Sequence, residues 1–259
     1  MKDELRIAGQ PNSLDSLRIA GDSSFDSLKI AGSNSFDEFR IAGTNSIFDE
    51  LKETSGEKRA EDFDDYFKEM DITDTEADKR IETAEALYQT FLYFLALLLL
   101  MRKHDIQVTE EFLVAQVTIK FYKSLYSVGI NVKKEYKYLA SYIDTIVPVI
   151  VESTLRNETN AWYTTRDRAK LLAEEESNSI HNKIDFQRAV KLGYKRKQWV
   201  TMNDERVRQT HRDVNMAIVG INDTFLVGDA LMKYPKDENC VEIYPEECIG
   251  CRCTVKYIK

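Results

Sequence analysis

The stretch TDTEADKRIETAEALYQTFLYFLALLLLMRK, residues 73–103, decides the fold. Its first residue, Thr73, stands three positions before Glu76, which is the capping-box pattern of a helix N-terminus. Apolar side chains then recur at helical spacing, and residues 91–101 carry no charge. An uncharged run of that length is too short to cross a bilayer, which takes about 20 residues. We therefore predict one long, buried core helix that ends near Lys103.

Further helices are predicted after this segment. Thr109 is the cap of a helix that ends near Gly129, and residues 134–155 form the next helix, kinked at Pro148. Another helix ends at Gly193, whose missing Cβ suits a left-handed C-cap. The apolar surface of these helices is large enough for one common core. Only 4 Pro and 10 Gly occur among 259 residues, which also favours helices over a turn-rich β-sandwich.

The strands are predicted near the C-terminus, at residues 198–201 and at Thr254–Ile258, where apolar and polar residues alternate. The predicted fold class is α+β: mainly helical, with a small C-terminal β-containing subdomain and a disordered, repeat-bearing N-terminal arm. Four segments follow from these patterns. They are the arm (1–53), an acidic linker or marginal helix (54–72), a helical region (73–163) and a C-terminal domain (164–259).

The arm carries four copies of a seven-residue unit that ends in Ile-Ala-Gly, beginning at Asp3, Asp15, Asp26 and Asp37. Units this short cannot stack as a solenoid, and each offers too little apolar surface to order itself. One interpretation is a string of weak recognition peptides that gain avidity on a repetitive partner. The alternative is tolerated repetition in a disordered tail. The candidate partner-binding residues are Leu5, Ile7, Leu17, Ile19, Leu28, Ile30, Phe39 and Ile41.

The formal net charge of −8 argues against a protein that coats nucleic acid with its whole surface. Residues 183–212 are an exception, with nine Lys and Arg against three acids. This segment could contact phosphates, or it could be a solvated helix and loop face. No arrangement of aromatic residues among these cations suggests base stacking, so any DNA binding should be independent of sequence. The DNA-binding candidates are Lys191, Lys195, Arg196, Lys197, Arg206, Arg208 and Arg212.

All four cysteines lie in the last twenty residues. The chain opens on a charged run rather than a secretory signal, so we expect a cytoplasmic product whose thiols stay reduced or bind metal. The metal-ligand candidates are His211, Cys248, Cys251 and Cys253, with Cys240 as a spare. A structural zinc site, plain reduced thiols and a disulfide formed after lysis all remain open interpretations, since the spacing is only partly that of a zinc motif.

A second set of polar residues follows the strand that contains Trp199, which we expect in the core. Asp204, Arg206, Arg208 and His211 could supply a general base and an anion clamp, but a buried ion-pair network is the favoured interpretation. The sequence contains no Gly-rich phosphate loop and no nucleophile with a partnered histidine. We therefore do not expect an enzyme.

The C-terminal third resembles a known family through several elements that occur in a fixed order. They are the helix from Arg168 to Asn178, a Trp-x-Thr strand, the pattern Asp-x-Arg-x-Arg-x-x-His, and a closing Cys-Arg-Cys. In this order they are similar to the phage Mu F-like, or phage head morphogenesis, family of minor capsid proteins. The residues that carry the resemblance are Glu176, Asn178, Trp199, Thr201, Asp204, Arg206, His211, Asp223, Phe225, Cys251, Arg252 and Cys253.

The chain departs from the family pattern at two positions. Family members often have glycine after the polar residue downstream of the histidine, whereas here Asn215 is followed by Met216. Gly250 stands where the family usually has asparagine; glycine retains the turn geometry but loses a side-chain hydrogen bond. The Ile-Ala-Gly repeats have no counterpart in the family pattern.

The resemblance implies a minor head protein that is made in the host bacterial cytoplasm and sits inside the capsid near the portal. Such a protein acts in head assembly and in DNA packaging or delivery. The implied partners are the phage portal, the major capsid or scaffold protein, and DNA, with no membrane. The alternatives are a phage-delivered effector and a zinc-bearing adaptor. The chain stops six residues after Cys253, which we expect to leave no room for a C-terminal effector.

Overall fold

The computed structural model describes Leu51, residues 62–103, 105–157, 159–241 and 243–259, and four two-residue strands of the N-terminal arm. In the arm, β1 (Arg6–Ile7) pairs with β3 (Ile19–Ala20), and β2 (Ser16–Leu17) pairs with β4 (Ile30–Ala31), both antiparallel. The predicted disorder of the arm and its candidate partner-binding side chains lie outside the described residues.

The described remainder is mainly helical, with short antiparallel strands near the C-terminus, so the predicted fold class is confirmed. The helices are α1 (Phe63–Lys68), α2 (Asp74–Lys103), α3 (Glu110–Ser127), α4 (Leu139–Arg156), a 3-10 turn (Ala161–Thr164), α5 (Arg166–Lys191), α6 (Gln209–Asp213), α7 (Glu238–Val241) and α8 (Pro245–Cys248). The remaining strands are β5 (Arg196–Val200), β6 (Ile218–Gly220), β7 (Phe225–Val227), β8 (Ala230–Met232) and β9 (Thr254–Ile258).

Helix α2 is the central element that the first stretch predicts. The Thr73 backbone N–H donates to Glu76 Oε2 at 3.0 Å, and the Glu76 N–H donates back to Thr73 Oγ1 at 3.3 Å, so the capping box is formed. Of the described helices, α2 alone is long and apolar enough to cross a membrane, but 72% of its apolar window is buried inside the fold. We therefore treat it as a core helix of the bundle.

The other predicted helix ends are also found. Thr109 Oγ1 accepts a hydrogen bond from the Phe112 N–H at 3.2 Å, and Gly193 has the left-handed φ of +74° that its position after α5 requires. Helix α4 begins at Leu139 rather than at residue 134, because residues 132–138 form successive turns; Pro148 lies inside it.

The segment predicted as an acidic linker or marginal helix contains α1, which packs on the bundle. Phe63, Tyr66 and Phe67 are buried, and the Phe63 ring meets Tyr88 of α2 edge-on at 6.0 Å. The two acidic residues between Phe63 and Tyr66, Asp64 and Asp65, are exposed. Burial of three aromatic side chains is enough to hold so short a helix on the core.

The C-terminal subdomain is built on a three-stranded antiparallel sheet of order β6-β5-β9, with β7 and β8 forming a separate hairpin. Trp199 lies on the central strand opposite Val255, fully buried as expected, and its ring packs edge-on against Phe225 at 5.2 Å. The predicted terminal strand coincides with β9. Long helix α5 contacts both α2 and β9, so it joins the bundle to the sheet.

Candidate functional site

Three side chains of metal-binding type come together just before β9. The ligand atoms of His211, Cys251 and Cys253 are buried and all lie within 4.8 Å of one another. His211 Nδ1 is 3.3 Å from Cys253 Sγ and 3.6 Å from Cys251 Sγ. The histidine belongs to α6 and the cysteines to the segment before β9, so the fold brings together residues that are 40 or more positions apart.

Cys248, the fourth ligand candidate, is placed elsewhere. Its Sγ lies 3.0 Å from Cys240 Sγ, and it is not part of the group of three. Cys248 is the last residue of α8, and the turn at Gly250, with φ +72°, separates it from Cys251. The hydrogen bond to Cys240 and burial both raise the pKa of Cys248, so the sulfur of Cys248 is held as a thiol.

The electrostatics of the His211 group favour charge on Cys251. The hydrogen bond from Cys253 holds the pKa of Cys251 well below its usual range, with a further contribution from His211, and the same bond raises the pKa of Cys253. Burial by itself lowers the pKa of His211, but the hydrogen bond and charge of Cys251, with Glu247, outweigh it and raise that pKa. His211 Nε2 lies 3.1 Å from Glu247 Oε2.

The backbone that carries these cysteines is fastened to helix α5. The side-chain amides of Asn178 and Asn182 both donate to the Cys253 carbonyl, at 3.2 and 3.1 Å, and Thr254 Oγ1 donates to Asn182 Oδ1 at 3.1 Å. Asn178 also accepts from Arg80 of α2 at 3.4 Å. Asn178 is a family-motif residue; Asn182 is not, although its i+4 position on the same helix face could have revealed it.

Asp204 and Arg252, both motif residues, form an ion pair across the same segment. Arg252 Nη2 lies 2.6 Å from each carboxylate oxygen of Asp204, and Asp204 also accepts from the Arg206 backbone N–H at 3.0 Å. Burial tends to raise the pKa of Asp204, but the Arg252 hydrogen bond lowers it below its usual value. Of the four residues predicted to form a buried network here, only Asp204 and Arg206 lie close enough for an ion pair, and the main partner of Asp204 is Arg252, which is not among the four.

Glu176, the earliest motif residue, lies in a buried charged cluster. Lys236 Nζ is 3.3 Å from Glu176 Oε1 and 3.7 Å from Glu175 Oε2, and the Tyr142 hydroxyl donates to Glu176. Burial raises the pKa of Glu175. The desolvation of Lys236 is outweighed by the two carboxylates, so the pKa of this ammonium is raised. Glu176 therefore anchors the loop before α7 to helix α5.

The remaining motif residues define turns and the core. Asn215 Oδ1 accepts from the Thr201 N–H at 3.1 Å, and Asp223 Oδ2 accepts from the Gly220 N–H at 3.2 Å. Met216, where the family often has glycine, adopts a left-handed φ of +65°. The backbone is therefore left-handed at this position although the residue is not glycine.

The basic segment divides into exposed and buried cations. Lys197 is fully buried: its Nζ donates to the Ile221 carbonyl at 2.8 Å and lies 4.9 Å from the centre of the Phe186 ring. Burial lowers the pKa of Lys197 to about 8. The structure thus removes Lys197 from the DNA-binding candidates. Neighbouring side chains of a strand point to opposite faces of the sheet, so Lys197 is on the buried face while Arg196 beside it is exposed.

The arginine candidates around α6 are engaged within the subdomain. Arg208 is half-buried and donates to the Ile249 carbonyl, and exposed Arg212 donates to the carbonyls of Asp204 and Glu205 at 3.1 and 2.9 Å. Arg206 is exposed and lies 3.5 Å from the Asp204 carboxylate. Lys191, Lys195 and Arg196 are exposed near the end of α5 and the start of β5.

The Glu247–His211–Cys251 order matches the carboxylate, base and thiol of a nucleophilic site. Cys251, however, is only 1% exposed. A substrate carbonyl cannot reach its sulfur in this arrangement. The burial therefore argues against nucleophilic catalysis at this thiol. The three side chains are instead of the types that bind a metal ion.

A family model described as phage Mu protein F like protein matches residues 131–256. The match contains every motif residue from Glu176 to Cys253, which confirms the resemblance. It begins before the predicted domain boundary at residue 164 and so takes in helix α4. No curated protein and no solved structure matches the chain.

Proposed function

We propose that this protein is a minor component of a phage head, with a non-catalytic role in head morphogenesis and in the packaging or delivery of DNA. The observation that carries the proposal is the family match at residues 131–256, since this family suggests a phage head morphogenesis protein and a virion-associated location. The arrangement of the motif residues supports a non-catalytic role. Most of them are bonded to one another or to backbone, as in the Asp204–Arg252 pair.

The proposed DNA contact is the exposed part of the basic segment. Lys195 and Arg196 stand at the start of β5 with their side chains in solvent, and Lys191 lies close to them in the chain. Cations of this kind bind phosphates without reading bases, so affinity should fall steeply with salt. Lys197 is excluded by its burial, and we give Arg208 no part in the contact because its guanidinium is bonded inside the subdomain.

Salt titration of DNA binding tests this contact. Changing both Lys195 and Arg196 to Ala should reduce the slope of log K against log salt by about 1.8, because each phosphate contact contributes about 0.9. The matched control changes Lys133 and Lys134 to Ala, which removes the same charge from exposed turn positions between α3 and α4. Equal slopes in the two double variants would remove β5 from the DNA-binding surface.

The N-terminal repeats are proposed to bind the repeated subunits of portal, capsid or scaffold. Several weak sites on one chain bind together more tightly when the partner presents several copies of the contact. Each repeat that is lost should therefore lower the apparent affinity further. The test changes Ile7, Ile19, Ile30 and Ile41 to Asp one after another in the full chain and measures binding to purified procapsids. If the fourfold variant binds as the unaltered chain does, the repeats are not the contact.

The decisive experiment is quantitative mass spectrometry of purified virions before and after triggered DNA ejection. A few copies per particle are expected, and their loss on ejection would mean that the protein leaves with the DNA. Retention in emptied heads would assign it to assembly or packaging instead. Complete absence from virions and procapsids would overturn the proposal and favour the alternative function of a zinc-bearing adaptor.

A further inference from the structure

The spacing of the His211 group fits the edges of a metal tetrahedron. With Zn–S distances of about 2.3 Å and Zn–N distances of about 2.05 Å, tetrahedral angles place a nitrogen and a sulfur ligand about 3.6 Å apart. The two Nδ1–Sγ distances are 3.3 Å to Cys253 and 3.6 Å to Cys251. Ordinary packing of an imidazole against two thiols does not require both sulfurs to face the same ring nitrogen.

The hydrogen bonds on the other side of the ring decide which nitrogen of the neutral His211 ring carries the hydrogen. Glu247 Oε2 accepts a hydrogen bond from the Thr210 hydroxyl at 2.7 Å and lies 3.1 Å from His211 Nε2. A carboxylate oxygen is an acceptor, so Nε2 must carry the hydrogen, and in the neutral ring Nδ1 then presents its lone pair to the sulfurs. A carboxylate behind the histidine is the usual support of a metal-bound imidazole.

A buried donor also lies beside the group. The Trp199 indole N–H is buried, and among the described residues it has no acceptor at hydrogen-bonding distance. The centre of the indole ring lies 5.8 Å from the centre of the His211 ring. A metal-bound thiolate is a stronger acceptor than a thiol, so a thiolate at Cys253 would satisfy this otherwise unpaired group.

We propose that His211 Nδ1, Cys251 Sγ and Cys253 Sγ bind one zinc ion that fastens α6 to the segment before β9. Thiolate and imidazole ligands favour zinc over Mg²⁺, Ca²⁺ and Mn²⁺, and the burial of all three side chains favours a role in holding the fold together. Cys248 is not a ligand, because its thiol is hydrogen-bonded to the sulfur of Cys240 and lies outside the group of three. Three protein ligands leave the fourth tetrahedral position to a non-protein ligand such as water. This inference does not depend on the proposed function in phage heads.

Metal analysis of the full chain, purified without chelator, tests the site directly. About one zinc per chain is expected, and replacement by Co²⁺ should give intense tetrahedral d–d bands together with thiolate charge-transfer absorption. These readouts use the unaltered protein, so they do not depend on whether a variant folds. Folded protein that binds neither metal would overturn the proposal.

Matched cysteine variants test the ligand assignment. Cys253→Ser should lower the charge-transfer intensity by about half, because one of two thiolates is lost, and should weaken zinc binding at least 10-fold. Cys248→Ser is the control, since this thiol is equally buried but outside the group; it should keep the full zinc content and spectrum. Loss of the metal signal in Cys248→Ser alone would refute the assignment.

Discussion

Replacement of Met216 tests whether this turn imposes a left-handed backbone. Met216 has φ +65°, its N–H donates to the Trp199 carbonyl at 2.9 Å, and its carbonyl accepts from the Gln198 side chain at 3.1 Å. These backbone bonds hold the conformation whatever the side chain is. The two informative changes are Met216→Gly, which removes the Cβ that the left-handed region disfavours, and Met216→Ala, which keeps it.

The expected difference follows from two opposing terms. A non-glycine residue in the left-handed region costs about 1–2 kcal/mol, and glycine loses about 0.5–1 kcal/mol more backbone entropy than alanine on folding. The free energy of unfolding of Met216→Gly should therefore be about 1 kcal/mol higher than that of Met216→Ala. Both variants lose the partial burial of a side chain that is 57% exposed, so this loss cancels in the comparison.

Thermal and urea unfolding of the two variants, followed by circular dichroism, measures this difference. For a domain of this size we expect Met216→Gly to melt about 3 °C above Met216→Ala. Exposed Glu85 in the middle of α2 is the control position, where the order should reverse because glycine is about 1 kcal/mol worse than alanine in a helix. If Met216→Ala is as stable as Met216→Gly, or more stable, the left-handed backbone at residue 216 is wrong.

Three further predictions concern buried charge. Asp204→Asn should lower the free energy of unfolding by about 2 kcal/mol, because it leaves the largely buried Arg252 guanidinium without its ion pair; a double-mutant cycle with Arg252→Gln should show coupling. Burial lowers the pKa of Lys197 to about 8, so between there and pH 10.5 the unfolded chain binds a proton that the folded chain lacks. Stability should rise with pH in that window, and Lys197→Met should remove up to about 1.4 kcal/mol per pH unit of this slope, as urea titrations at several pH values can show. Burial holds the pKa of His181 well below 6.5, so the native protein should lose stability as the pH falls below 6.5; His181→Gln should lose less, and equal losses would contradict the assignment.

The helices and their ends could be predicted because their signals are local. The Thr73 capping box, the Thr109 cap and the left-handed Gly193 each depend on bonds to residues within a few positions. Helix α1 is the instructive exception. Its six residues are predicted to be acidic linker or marginal helix, and only burial of Phe63 and its neighbours against α2 makes the segment part of the core.

The site could be predicted only in part. Residue types and spacing were enough to select His211, Cys251 and Cys253, but equally selected Cys248, and nothing local separates Cys248 from the others. Asn182 carries no signal by itself, since its partner, the Cys253 carbonyl, lies 71 positions away. Contacts of this range depend on how α5 and β9 pack, and composition does not encode that packing.

By itself, the sequence determines the periodic helices, the terminal strand, the family resemblance and the types of side chain available for chemistry. The tertiary structure alone decides that Lys197 is buried while Arg196 beside it is exposed, and that one thiol pairs with Cys240 while two face His211. The physical reason is range. Caps and periodicity arise within one turn of chain, whereas burial and ligand geometry arise between segments that meet only when the whole domain packs.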